Sequence, residues 1–184
     1  MSANVTLGEN MIGVGCNALH NLRQSLTRDL GESAAGYLQA AGYAAAPQVY
    51  DCFLKWLPEY TGITNPAELD SAALGEVLSA FFGELGWGTL SVERSGQHAL
   101  VLTSPDWAEA EPGSGAQQPS CYLSSGLLTD FLGRLSDVPV AVMEVECRSR
   151  GDSLCRFIAG APQTLEAVFN TLAAGGDYES VLNA

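Results

Sequence analysis

The sequence predicts an α+β domain: an antiparallel four-stranded sheet made of two hairpins and packed with helices. Three observations carry that prediction. Apolar residues recur at three- and four-residue spacing through the first half of the chain. Two later stretches alternate apolar and polar residues and double back at Gly-containing turns. Helical spacing returns between those stretches and after the second.

Element by element, Leu19, Leu22, Leu26 and Leu30 line one face of a first helix that Gly31 ends. A shorter helical stretch runs through Tyr37 and Leu38 to Gly42. From Pro47 to Leu57 the residues Val49, Phe53, Trp56 and Leu57 share a face, with Pro58 as a stop. Pro66 opens a further helix whose stripe is Leu74, Leu78, Phe81, Phe82 and Leu85. Each of these stripes reads first as core packing. Trp87 to Arg94 is a strand carrying Leu90 and Val92, Ser95-Gly96 a turn, and Ala99 to Thr103 the return. Ser104 to Ser120, rich in Pro, Gly and acidic residues, is an interior loop. A helix from Cys121 to Leu135 follows, then a β-rich run from Val138 to Cys147, a turn at Gly151-Asp152, and a strand from Ser153 to Ala159. Pro162 sits at the first position of a last helix with Leu165, Val168, Phe169 and Leu172. The tail after Gly175 is expected to be loose. There is no repeat of fixed period.

A chain of 184 residues supports one full hydrophobic core. A single domain over 1–184 is therefore expected, with a helical part over about 1–86 and a sheet and metal-site part over about 87–175. The formal charge of -13, from 8 basic and 21 acidic residues, repels phosphate backbones and anionic headgroups, which argues against nucleic acid and membrane surfaces as partners. No basic segment precedes an apolar stretch at the start, and no apolar run approaches the ~20 residues of a spanning helix. The odd count of five cysteines suits free thiols or metal ligands in a reducing compartment, so a cytoplasmic location is expected.

The strongest chemical pattern is C-x22-E-x2-C-x7-C, formed by Cys121, Glu144, Cys147 and Cys155. Three thiols and a carboxylate suit zinc, which is tetrahedral and borderline soft. Four protein ligands leave no open position, so a metal here would be structural. The competing reading is four ordinary core residues, since buried cysteines are common. Strand alternation adds a difficulty, because Glu144 and Cys147 have opposite parity. A bulge or strand end near Glu146 is required, and Glu146 is a rival ligand. Cys16 and Cys52 fall outside the pattern and read as core residues. No phosphate loop, nucleophile elbow or nucleophile–histidine pair is present, so no enzyme activity is expected.

The stretches Cys121-Tyr-Leu-Ser-Ser-Gly-Leu-Leu-Thr-Asp-Phe-Leu, Met143-Glu-Val-Glu-Cys147 and Arg150-Gly-Asp-Ser-Leu-Cys155-Arg-Phe157 resemble the 4-vinyl reductase domain family. Leu22 to Ala44 is similar to the family's N-terminal helices. The resemblance implies a fold like the subunits of the TRAPP transport particle, the ligand-binding fold of NO signalling and Golgi transport. It also implies zinc on Cys121, Glu144, Cys147 and Cys155, favouring Glu144 over Glu146, and a homodimer. Trp107 resembles a Trp that lines the effector cavity in aromatic-sensing members, although a loop aromatic packed on the core is the plainer reading. Those members also use a His toward a phenol hydroxyl. Here the histidines are His20 and His98, neither in the helical segment near Ser79 where it would belong. A pocket of Phe81, Phe82, Trp87, Trp107 and Tyr122 would therefore prefer a more apolar or flat ligand.

The expected function is a stand-alone module that binds or senses a hydrophobic or aromatic small molecule and signals through a separate partner. The alternatives are an accessory carrier for a tetrapyrrole, as the family's chlorophyll-pathway members suggest, and a ligand-free interaction scaffold.

Overall fold

A computed structural model describes residues 7, 8, 10–96 and 99–183; His98 lies outside them. Helices α1 (Cys16–Leu30), α2 (Ser33–Thr61) and α3 (Ser71–Glu84) precede the first hairpin, β1 (Ser91–Ser95) and β2 (Ala99–Ser104). Helix α4 (Tyr122–Ser136) leads to β3 (Ala141–Glu146), β4 (Cys155–Gly160), α5 (Pro162–Ala173) and the short α6 (Glu179–Leu182). The four strands form one antiparallel sheet in the order β1-β2-β4-β3. This is the predicted α+β class, with the second hairpin joined to the first through β4. No helix among the described residues is long and apolar enough to cross a membrane.

The sheet has a buried cluster on each face. Leu102, Phe157, Ala159 and Val142 meet residues of α2, α3 and α4, including Phe53, Leu78, Phe81, Phe82 and Phe131. On the other face Ala99, Val145 and Ile158 pack on Leu165 and Val168 of α5 and Leu182 of α6. Period-2 alternation along β4 makes this possible, since Cys155, Phe157 and Ala159 face one way and Arg156 and Ile158 the other.

Helices α2 and α4 cross backbone to backbone. A Cβ on Gly42 would run into the Leu123 carbonyl oxygen, and one on Gly126 into that of Gln39. Gly42 is thus a contact inside a 29-residue helix and not the end of a short one. Pro47 and Pro58 also lie within α2, which runs on to Gly62, whose left-handed φ of 81° closes it. Proline's fixed φ is itself helical, so Pro58 in the last turn forfeits one hydrogen bond without stopping the helix.

Three other expectations change. In α1, Leu22 and Leu30 are exposed, and the buried residue is Arg23, flanked on its face by Leu19 and Leu26. The strand expected from Trp87 begins only at Ser91, because Thr89 donates its backbone N–H and its hydroxyl to Asp106 and Trp87 accepts from the Ala108 N–H. The tail after Gly175 is anchored. Leu182 is buried, its carbonyl abuts Gly96 in the first hairpin turn, and the Tyr178 hydroxyl lies between Arg156 and Glu146. Cys52 is buried as expected; Cys16 is exposed.

Candidate functional site

Cys121, Glu144, Cys147 and Cys155 converge from three parts of the fold. Cys121 is the residue before α4, Glu144 lies in β3, Cys147 follows β3 and Cys155 opens β4. Their donor atoms all lie within 4.8 Å of one another, and all four residues are buried. The parity difficulty is resolved by a register shift. Glu144 pairs with Phe157 while Glu146 pairs with Arg156, so Val145 is an extra residue on β3. The bulge keeps Glu144 on the helix-covered face, turns Glu146 to the opposite face and brings Cys147 back. Glu146 is engaged there by Arg156 at 2.9 Å and by the Tyr178 hydroxyl at 2.9 Å.

A tight knuckle presents Cys147. Its carbonyl accepts the Arg150 and Asp152 N–H groups, its own N–H donates to Asp152 Oδ2 at 2.7 Å, and Gly151 takes a φ of 107° to close the turn. Glu144 Oε2 accepts the Cys121 backbone N–H at 2.8 Å, while its Oε1 is buried without a partner among the described residues. An orphaned carboxylate oxygen beside three thiols is costly unless something satisfies it. The Cys121 and Cys147 sulfurs are 3.8 Å apart. A tetrahedral site with metal–sulfur bonds of ~2.3 Å has a sulfur–sulfur edge of about 3.8 Å. The donor set fits a metal ion.

Titration within the cluster is uneven. Hydrogen bonds from Cys121 and Cys155 hold the Cys147 thiol far below its usual range. The same Cys147 contact, then Cys155, pushes Cys121 well up. Cys155 is drawn down by Cys121, yet the Cys147 sulfur and burial outweigh that and raise it. Burial, then the Cys147 charge, raises Glu144 to about 8.

Beside this cluster lies a group that the sequence did not single out. Glu109 is fully buried and accepts the Leu123 and Ser124 N–H groups, at 3.1 and 2.7 Å, at the start of α4. Arg23 approaches it at 3.3 Å, donates to the Glu109 carbonyl oxygen, and also donates to the Ser120 carbonyl and hydroxyl. Burial pushes the Glu109 carboxyl up, against the pull of Arg23 and the Ser124 hydroxyl. The one available signal was a basic residue inside the Leu19–Leu26 stripe; nothing in the acidic loop distinguished Glu109. His20 joins the same loop through Nε2, 2.9 Å from the Ala108 carbonyl oxygen.

The five expected pocket residues divide. Phe81, Phe82 and Trp107 have no exposed surface and pack ring against ring, with Phe82–Trp107 centroids 5.9 Å apart and Trp107–Phe157 5.8 Å apart. Trp107 also donates its indole N–H to Ser124 Oγ at 2.7 Å. Trp87 is half-buried, 5.5 Å from Trp107. Tyr122, half-buried at the start of α4, makes no ring contact with them. A cleft of about 960 Å³ lies toward the opposite end of the sheet, between α3, the end of α4 and the start of α5.

Fold and site together define an α+β domain with helices on both faces of an antiparallel sheet and a buried four-donor cluster. Residues 107–161, which contain Trp107 and all four donors, match the family model of the 4-vinyl reductase domain, the family of the motif resemblance. An uncharacterized protein of Methanocaldococcus jannaschii, MJ0745, is 35% identical over 80 residues, 44% of this chain and 42% of that protein. The match thus spans less than half of that relative's length. Among solved structures, the phenol-responsive sensory domain of the transcription activator PoxR, with phenol, superposes with a TM-score of 0.64 at 19% identity, over 95% of this chain and 84% of that one. Subunit 3 of a trafficking protein particle complex from Naegleria fowleri, covalently bound to palmitic acid, gives 0.61 at 15% identity, over 79% and 91%. The TRAPP-like fold expected from the resemblance is the fold observed.

Proposed function

We propose that this chain is a non-enzymatic domain that binds or senses a hydrophobic or aromatic small molecule, braced by one structural zinc ion on Cys121, Glu144, Cys147 and Cys155. The observation that carries the reading is the closed donor set, with a buried Glu144 oxygen that lacks any other partner. Four protein donors fill a tetrahedral site, so the ion would add rigidity and no reactive position. It would fasten the second hairpin to the start of α4, directly beneath Trp107 and its ring neighbours. The match to the 4-vinyl reductase domain and the fold shared with a phenol-responsive sensory domain support ligand binding as the use of that rigid frame.

Elemental analysis of purified protein should give about one zinc per chain. Replacing Cys155 by Ser should remove the metal and lower the unfolding temperature. A metal-free wild-type protein of unchanged stability would refute the zinc. For the ligand, native mass spectrometry should detect a hydrophobic compound retained through purification, and added phenols or porphyrins should shift the absorbance or the melting temperature. A porphyrin response without a phenol response would favour a tetrapyrrole carrier.

One observation favours a second reading, an interaction domain without a ligand: Phe81, Phe82 and Trp107 already fill the space that a cavity would need. If no compound is retained and none shifts the melting temperature, that reading replaces the first. Homodimerisation and a separate signalling partner belong to the proposal as well, and sedimentation of the purified chain tests the dimer.

A further inference from the structure

Arg94 stands where the sheet calls for an apolar side chain. Directly opposed residues on neighbouring strands share a face. Arg94 pairs with Leu100, Leu100 with Ala159, and Ala159 with Val142. The last three pack in or against the cluster under α2, α3 and α4. Arg94 thus ends an apolar row on the helix-covered face, one step beyond Val92. It borders the 960 Å³ cleft together with Leu74, Leu132, Leu135 and Val138.

The charge pattern of this cleft is unlike that of the chain. The protein carries 21 acidic and 8 basic residues, yet Arg94 is the one ionisable side chain among the described residues that line the cleft. Arg23, Arg28, Arg134, Arg150 and Arg156 all reach carboxylates. Arg94 has no ion pair or hydrogen bond among the described residues. An inward charge on an edge strand also discourages strand-to-strand aggregation. That role requires no cavity, whereas here the guanidinium borders an apolar cleft within the ~300–1,000 Å³ range of small-molecule sites.

We propose that this cleft binds a monocarboxylate with a large apolar body, its carboxylate on Arg94 and its body against Leu74, Leu100, Leu132, Leu135 and Val138. The guanidinium fork matches a carboxylate in geometry and charge. Burial of the apolar body supplies affinity in proportion to the area covered. A neutral ligand would shield the guanidinium from water without pairing it, and a second anionic group would find no second cation among the described residues that line the cleft. The inference rests on the ligand-binding reading above and specifies the ligand class and its place in the fold.

Calorimetric titration of the whole chain with decanoate and with 2-naphthoate, each beside its neutral primary amide, tests it. At least one acid should bind about tenfold tighter than its amide, the size expected of a charge-assisted hydrogen bond, and the better acid shows whether the body is a chain or a ring. Arg94→Gln should abolish the preference and leave amide binding unchanged. Val138→Trp, at a position 56% exposed and so no threat to folding, should obstruct the cleft and weaken acid and amide alike. Equal binding of acid and amide to wild type, or a preference that survives Arg94→Gln, overturns the carboxylate and leaves a hydrophobic ligand standing. Binding indifferent to Val138→Trp overturns the cleft. If no probe binds while a hydrophobic compound is still retained through purification, the cleft falls alone; if nothing binds and nothing is retained, both readings fall.

Discussion

Glu144 and Arg94 sit on the two edge strands of one sheet, in adjacent rows of its helix-covered face. The row Val92–Leu102–Phe157–Glu144 ends in a carboxylate on β3, and the row Arg94–Leu100–Ala159–Val142 begins with a guanidinium on β1. Around Glu144 the chain has closed in: the bulge at Val145, the knuckle at Cys147 and the start of α4 bring three thiols within reach. Around Arg94 it has left room, and the side chain is exposed. An ionisable group on an apolar face is tolerated either by surrounding it with partners or by leaving it access to solvent. This sheet does one at each edge, and the two solutions give one end suited to a fixed ion and the other to an exchangeable molecule.

The contrast can be tested from its strongest side first. Glu144→Gln keeps the acceptor for the Cys121 N–H but removes the ligand charge. Zinc affinity should fall by more than the ~10–100-fold that loss of an outer ligand partner costs, as read by competition with a chelator. A smaller loss would leave the cluster as three cysteines and an accessory carboxylate. Acidity should act next. Glu144 is raised to about 8, so without metal it holds its proton at neutral pH and must release it when the ion binds. Zinc affinity should therefore rise with pH, by about tenfold per unit below about 8 for this group alone, and continue to rise above it as the raised Cys121 and Cys155 thiols give up their protons. Titrations in two buffers of different ionisation enthalpy measure the released protons. The slope between pH 6 and 8 should be shallower in Glu144→Gln than in wild type by about one proton; an equal slope would mean that Glu144 is not a ligand.

Helix α4 is common to both ends, since Cys121 precedes it and Leu132 and Leu135 line the cleft. Gly126→Ala forces a methyl group into the Gln39 carbonyl and should cost about 1–3 kcal/mol of stability by denaturant unfolding. Arg94→Ala, with no partner to orphan, should change stability by no more than about 0.5 kcal/mol. A loss of several kcal/mol there would make Arg94 a structural residue like Glu144 and erase the contrast.

Much of this is legible in the sequence for identifiable reasons. Helix and strand periods are local, so α1, α4, α5 and the second hairpin stand close to where their patterns put them, whereas the helix expected to open at Pro66 starts at Ser71, after a single turn at Pro66–Glu68 and an Asp70 cap. The four donors are legible as types and spacings. What arranges them is less so. Periodicity shows that a bulge or a strand end is needed if Glu144 and Cys147 share a site, but that it is a bulge at Val145 depends on pairing with β4, and so does the fate of Glu146, which Arg156 and Tyr178 hold on the far face. Gly42 misleads because a glycine that ends a helix and one that admits a crossing helix look alike in one dimension. Arg23 and Glu109 escape a sequence reading because their pairing spans most of the N-terminal half. The cleft escapes it for a similar reason: its walls come from α3, α4, α5 and the sheet, and no single stretch carries its shape.

The extra residue at Val145 has a consequence for how this site is inherited. If β3 kept every residue but paired with β4 as a plain ladder, no donor would leave the sequence, yet Cys147 would turn toward α5 and away from Cys121 and Cys155. Conversely, a related chain that keeps the bulge and changes a donor could exchange one ion for another without altering the hairpin. The register of β3 decides whether a set of donors is assembled at all, and the side chains decide which ion it suits. A comparison that scores only the identity of the four donors would count such an unbulged chain as intact, when by strand geometry it has only three.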